Sequence, residues 1–154
     1  MPHCTLTAEP FVAATALSAF TAQVADVGAI ASVTGRMRAV ATDGSAIDAL
    51  VLESYRSVTL ASMQAIFDAA LARFAISDAA ILHRYGRIAP GDDIVFVAAA
   101  ASHRRAAFDA VDYMMDALKT EAVFWKYEER SGARHWIEPT AADRADHARW
   151  GTNA

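Results

Sequence analysis

With 154 residues, 55% of them apolar and 21% charged, the chain is long enough to bury a real core and too apolar to be disordered. A net charge of −4 argues against a general nucleic-acid binder, and no apolar run approaches the roughly 18 residues that suggest a membrane span. The single cysteine, Cys4, excludes an intrachain disulfide, and Met1-Pro2-His3-Cys4 has no basic region followed by an apolar one, so a cytoplasmic protein without a secretory signal is expected.

Thr5 to Thr7 reads as a first strand. Pro10 suits the start of a helix, where its missing N–H matters little. That helix is predicted to run from Phe11 to Val24, with Phe11, Leu17, Phe20 and Val24 as core contacts. Gly28 to Arg38 reads as a strand. The next segment, Ala39 to Ala46, holds the turn pair Asp43-Gly44 and is predicted to be a mobile loop. Ile47 to Tyr55 is a strand, and Thr59 to Phe74 an amphipathic helix with Leu60, Met63, Ile66 or Phe67, Ala70 and Phe74 at helical spacing.

Ala79 to Tyr85 and Asp93 to Ala101 are predicted strands joined through Pro90-Gly91. Ser102 is a good N-cap for a helix running to about Glu121, with Ala107, Val111, Met114 and Leu118 on one stripe. Val123 to Arg130 and Arg134 to Glu138 form a hairpin around Ser131-Gly132. From about residue 140 the tail is polar, with a short helix and Trp150. The predicted fold is α+β, one domain over residues 1–154, with mixed or antiparallel sheets and packed helices.

Three groups of residues can carry chemistry. His103, Arg104 and Arg105 open a helix, where free N–H groups and basic side chains together suit an anion. The plainer reading is a solvated helix start whose arginines pair with Asp92, Asp93 or Asp109, and surface charge more often means that. Lys119 sits in the last turn of the same helix. The dipole favours a lysine there for structural reasons alone, yet it flanks the apolar stripe, and a partly buried amine loses proton affinity and gains reactivity. Lys126 shares a strand face with Phe124 and Glu128, and edge-guarding is an equal alternative for it.

Arg36-Met37-Arg38 ends a strand just before the loop, a position where binding groups are common and solvent-facing arginines commoner still. His83 reads as a structural core histidine. The histidines at 3, 83, 103, 135 and 147 have no ligand-like spacing and Cys4 has no partner, so no metal site and no cofactor are expected.

Five fragments then stand in order: His83 to Gly86, Pro90 to Asp92, Ser102 to Arg104, Leu118-Lys119 and Trp125 to Glu128. Together they resemble the family of large, catalytic subunits of molybdopterin synthase, from about Gly28 to Glu138. The resemblance implies an α/β hammerhead-like fold and a sulfurtransferase. Family enzymes convert cyclic pyranopterin monophosphate into molybdopterin by installing two dithiolene sulfurs. The sulfur arrives as a thiocarboxylate on the C-terminal Gly-Gly tail of a ubiquitin-like small subunit. A homodimer of large subunits within a heterotetramer is implied as well.

By position, Lys119 and Lys126 match the family's active-site lysines. His103, Arg104 and Arg38 match residues of the substrate-phosphate site. Arg36 and Met37 flank Arg38 in one binding segment, and Tyr127 and Glu128 follow Lys126 in another. The sequence departs from the usual pattern at Ala39-Val40-Ala41, at Ser102 directly before the His-Arg pair, and at Pro139-Thr140, where a basic residue is often found. The alternative implied by the altered loop is a non-catalytic dimeric module that binds a ubiquitin-like partner or a phosphorylated pterin.

Overall fold

The computed structural model describes residues 1–152. Element order is β1 (Cys4–Thr7), α1 (Ala13–Gln23), β2 (Ala29–Arg36), β3 (Ala49–Glu53), α2 (Arg56–Arg73), β4 (Asp78–Arg84), β5 (Gly86–Ile88), β6 (Asp93–Ala101), α3 (Arg104–Thr120), β7 (Trp125–Arg130), β8 (Ala133–Ile137) and α4 (Ala141–Ala148), then a 3₁₀ turn at Arg149–Thr152. This is the α+β architecture expected from the sequence.

The strands form two sheets, ordered β1-β4-β6-β2 and β5-β3-β7-β8. Among the described residues β1 pairs with β4 in parallel and the other pairs are antiparallel. The central strand β6 is alanine-rich, and Ala98 to Ala101 are fully buried. Small side chains there let helices approach both faces of the first sheet. On one face α1 packs Ala16 and Phe20 against Ala80, Phe96 and Ala98. On the other, Met63, Ile66 and Ala70 of α2 and Ala107, Val111, Met114 and Leu118 of α3 cover Ile81, Val95 and Val97. The second sheet has its own core of Met37, Ala41, Ile47, Leu50, Leu52 and Ile88. Tyr85 and Phe124 pack against both cores and join them.

Several expectations are corrected. The first helix begins at Ala13 rather than Pro10; Val12 takes the N-cap without a side-chain bond, and the Asp93 carboxylate accepts from the Ala13 N–H at 2.9 Å. Ser102 does not cap α3. The β6 ladder runs to Ala101, whose carbonyl accepts from Gly28 N–H at 3.0 Å, and His103 becomes the N-cap, again without a side-chain bond. The joining segment after β4 contains a further strand, β5. Gly86, at φ +84°, turns the chain out of the first sheet and into the second.

Lys126 is not on an edge strand, since β7 lies between β3 and β8. The hairpin forms as expected, with Ser131 and Gly132 both at positive φ, the requirement of a tight type I′-like turn. The polar tail folds back onto α3. Arg149 binds Asp112 and Asp116, Trp150 donates to Asp116 at 2.7 Å, and the indole meets Phe74 and Tyr113 edge-on.

Candidate active site

Where α3 ends between the two sheets, a cavity of about 450 Å³ opens. Its polar wall is Arg36, Arg38, His83, Lys119 and Lys126. Leu50, Leu52, Ile94, Met115 and Leu118 supply the apolar wall. Most come from a rigid element: β2 for Arg36, β3 for the two leucines, β4 for His83, β6 for Ile94, α3 for Met115 to Lys119, and β7 for Lys126, while Arg38 follows the end of β2. Gly35, also in the wall, is tightly placed, because a Cβ there would lie 2.6 Å from Val95 Cγ1.

Lys126 faces Leu52 and Ile137 in the ladder and is half-buried. Burial pushes its amine below the ordinary lysine value, the Lys119 charge pushes it further, and Asp143 opposes them. Lys119 is exposed, its Nζ 3.2 Å from the Asp143 carboxylate on α4. Asp143 is itself held below the usual carboxylate range, chiefly by the Thr140 backbone N–H, then by the Thr140 hydroxyl and Lys119. The reactive-amine argument therefore belongs to Lys126. Lys119 contributes a positive charge that is partly neutralised by an ion pair.

His83 is 5% exposed. Its Nδ1 lies 2.8 Å from the Arg84 carbonyl, and its ring stacks on Phe124 at 4.4 Å. A carbonyl only accepts, so Nδ1 carries the hydrogen and Nε2 the lone pair. Burial lowers its pKa to about 4, assisted by the nearby Lys126 charge and opposed by the Arg84 bond. The structural role read from the sequence holds, and the same residue also lines the cavity.

Arg36 donates to Asp93 at 3.1 Å and to the Gly91 carbonyl. Arg38 is exposed and lines the cavity, with no protein partner among the described residues. Met37 between them is 6% exposed and belongs to the second sheet's core. Tyr127 faces away from the cavity, under Trp136 and Arg134. Glu128 is on the Lys126 face but is bound by Arg130 at 2.8 Å.

His103 and Arg104 are elsewhere. With Gly28, Ser102 and Arg105 they line a second cavity of about 370 Å³ at the start of α3. A Cβ at Gly28 would lie 2.2 Å from the Ser102 carbonyl oxygen, so only glycine lets β2 start this close. Arg105 approaches Asp109 at 3.9 Å; Asp92 and Asp93 pair with Arg84 and Arg36 instead. His103 and Arg104 have no protein partner among the described residues. Along α3, Arg104 and Lys119 are separated by about 22 Å, at 1.5 Å per residue. One chain therefore joins Arg38 to the two lysines and leaves His103 and Arg104 apart.

The cavity thus presents positive charge beside an apolar wall, which suits an anionic ligand with a partly apolar body. Among the described residues, no group of three or more His, Cys, Asp or Glu side chains is placed to hold a metal ion. Sequence reasoning missed Asp143, whose signal was the Thr140-x-x-Asp143 capping pattern, and the apolar wall from Leu50, Leu52 and Met115.

The profile of a family described as "MoaE protein" matches residues 6–121. A molybdopterin synthase catalytic subunit of Caulobacter vibrioides is 49% identical over 150 residues, covering 97% of this chain and 98% of that protein. The solved structure of a molybdopterin biosynthesis MoaE protein from Burkholderia ambifaria superposes with a TM-score of 0.82 at 35% identity, covering 99% of this chain and all of that one. A complex of subunits 1 and 2 of molybdopterin-converting factor from Helicobacter pylori matches at TM-score 0.74 and 15% identity, a likeness of fold.

Proposed function

This chain belongs to the MoaE protein family, and from that premise we infer that it is the catalytic subunit of a molybdopterin synthase. It transfers sulfur from the C-terminal thiocarboxylate of a ubiquitin-like small subunit to cyclic pyranopterin monophosphate, forming the dithiolene of molybdopterin. The observation that carries this reading is the cavity that joins Lys119, Lys126 and Arg38 to an apolar wall.

Both reactants are anions at neutral pH, and fixed cations in a partly dry site stabilise charge that develops during transfer. Lys126 is the acid–base group: it lines the cavity beside Lys119, and burial holds its pKa below the ordinary lysine value, which makes its proton easier to transfer. Lys119 stabilises the incoming carboxylate-derived anion. Arg38 binds the phosphate. His103 and Arg104 come to the same phosphate from a second copy of the chain, in a homodimer that carries one small subunit at each end. That arrangement accounts for His103 and Arg104 at the far end of α3, which have no protein partner among the described residues. Among the described residues no helix is long and apolar enough to cross a membrane. The reaction is assigned to the cytoplasm, where its partner thiocarboxylate is kept reduced.

The test is in vitro conversion of cyclic pyranopterin monophosphate with a thiocarboxylated small subunit. The parent chain should yield molybdopterin. Lys119→Ala should yield none while keeping its melting temperature and small-subunit binding, because a half-exposed ion pair is worth only about 0–1 kcal/mol to the fold. Turnover by that variant within a few-fold of the parent would remove Lys119 from the mechanism.

A further inference from the structure

The pairing of β2 with β6 slips between Gly35 and Arg36. Past that point Arg36 still pairs with Asp93, but the ladder no longer reaches Met37 and Arg38. Their position is set instead by the turn at residues 89–92. Met37 N–H donates to the Asp92 carbonyl at 2.9 Å, and Gly91 N–H donates to the Met37 carbonyl at 2.8 Å. Arg36 adds its bond to the Gly91 carbonyl. Both backbone groups of the residue between the two arginines are thus committed to one turn.

That turn is held from the other side by Arg84. Its side chain is 5% exposed, and Nη1 donates to Asp92 Oδ2 at 2.9 Å. Its remaining contact is a long one, Nη2 to the Arg87 carbonyl at 3.4 Å, and its Nε is buried without a partner. A guanidinium this enclosed is tolerated only while its carboxylate stays in place, so the pair locks Asp92 and the peptide that Met37 uses. Gly91, at φ +90°, gives the turn a backbone conformation that other residues rarely adopt.

We propose that Arg84 and Asp92 are positioning residues for the anion site: their ion pair fixes the 89–92 turn, and the turn fixes Arg36 and Arg38 against the lysine cavity. The inference rests on the proposed function for its kinetic consequence, and on the hydrogen bonds alone for its structural one. It also gives a purpose to Arg84 and to the fragment Pro90 to Asp92, which do not line the cavity.

The test uses the full chain with thiocarboxylated small subunit and the variants Asp92→Asn and Gly91→Ala. The second leaves the buried arginine untouched and strains only the turn, since a Cβ at Gly91 meets nothing within 4 Å. Each should raise KM for cyclic pyranopterin monophosphate about tenfold, the scale of one charge-assisted hydrogen bond, with kcat nearly unchanged. Hydrogen exchange at the amides of residues 37 and 91, corrected for the intrinsic rate of the residue present, should quicken in both. A merely structural defect would lower the active fraction, and so kcat, without moving KM. Unchanged KM in active variants, or unchanged exchange at both amides, would overturn the proposal. The exchange arm reads the clamp even if the parent makes no product, so failure of the functional assignment is told apart from failure of the clamp.

Discussion

The Nζ of Lys119, at the end of α3, lies 3.2 Å from Oδ1 of Asp143, the residue whose other oxygen caps α4. One carboxylate therefore anchors the C-terminal helix and holds a cavity lysine. Thr140 and Asp143 form a reciprocal capping box, so removing either loosens α4 by about 1 kcal/mol. Only Asp143 also touches Lys119. Thr140→Ala and Asp143→Ala should lower the melting temperature alike, whereas only Asp143→Ala should alter the rate of product formation. Equal rates in the two variants would show that the ion pair has no part in turnover.

Arg104 and Lys119 sit at opposite ends of α3, and one chain does not bring them together. If a second copy supplies His103 and Arg104, two differently impaired variants should rescue each other at substrate levels that leave the Arg104→Ala site unfilled. A mixture of Lys119→Ala and Arg104→Ala chains, dissociated and reassembled, forms hybrid dimers in which one of two sites keeps both residues. Random pairing under two-fold symmetry restores about a quarter of the parent activity. Separately, Arg104→Ala should weaken substrate binding by about 1.5–3 kcal/mol, as loss of a charged hydrogen bond does. No recovery on mixing would place Arg104 outside the site.

The sequence shows α2, α3 and the hairpin because each has its own local signal: helical spacing at Met63 and Ala70, the stripe through Ala107 and Leu118, and the Ser131-Gly132 turn. It hides β5 because three residues carry no periodicity. It leaves an edge position open as an equal alternative for Lys126 because strand order is a long-range property: pairing with both β3 and β8 makes β7 interior. Residue types alone mark both lysines and the arginines, and family spacing assigns them roles. Neither shows that Glu128 is spent on Arg130 or that Met37 is core, since those depend on which partners the second sheet brings across. The tail is legible as polar but not as a lid over α3. Its Arg149 and Trp150 find their carboxylates, Asp112 and Asp116, more than thirty positions away.

Cys4 should carry no sulfur. Its thiol is pushed up to about 11, first by burial and then by the Asp68 charge, so little nucleophilic thiolate forms at neutral pH. Its Sγ lies 3.8 Å from the Met63 carbonyl, against α2 and away from the cavity. Cys4→Ala should make product at the parent rate. A slowed rate with an unchanged melting curve would require a persulfide on this chain.

His83 should make the fold acid-sensitive in a defined window. Folding lowers its pKa from 6.5 to about 4. Between those values the unfolded chain binds a proton that the folded one excludes, so this contribution is complete above about pH 6.5 and is lost as pH falls towards 4. The loss amounts to roughly 3 kcal/mol at most, and carboxylates such as Asp143, lowered in the same direction, add theirs at lower pH. Denaturant melts at a series of values between about pH 7.5 and 4.5 measure it. His83→Gln can still donate to the Arg84 carbonyl but does not titrate, so its stability should fall less steeply over this range. A slope as steep as the parent's would mean that another group, not the ring stacked on Phe124, carries the acid sensitivity.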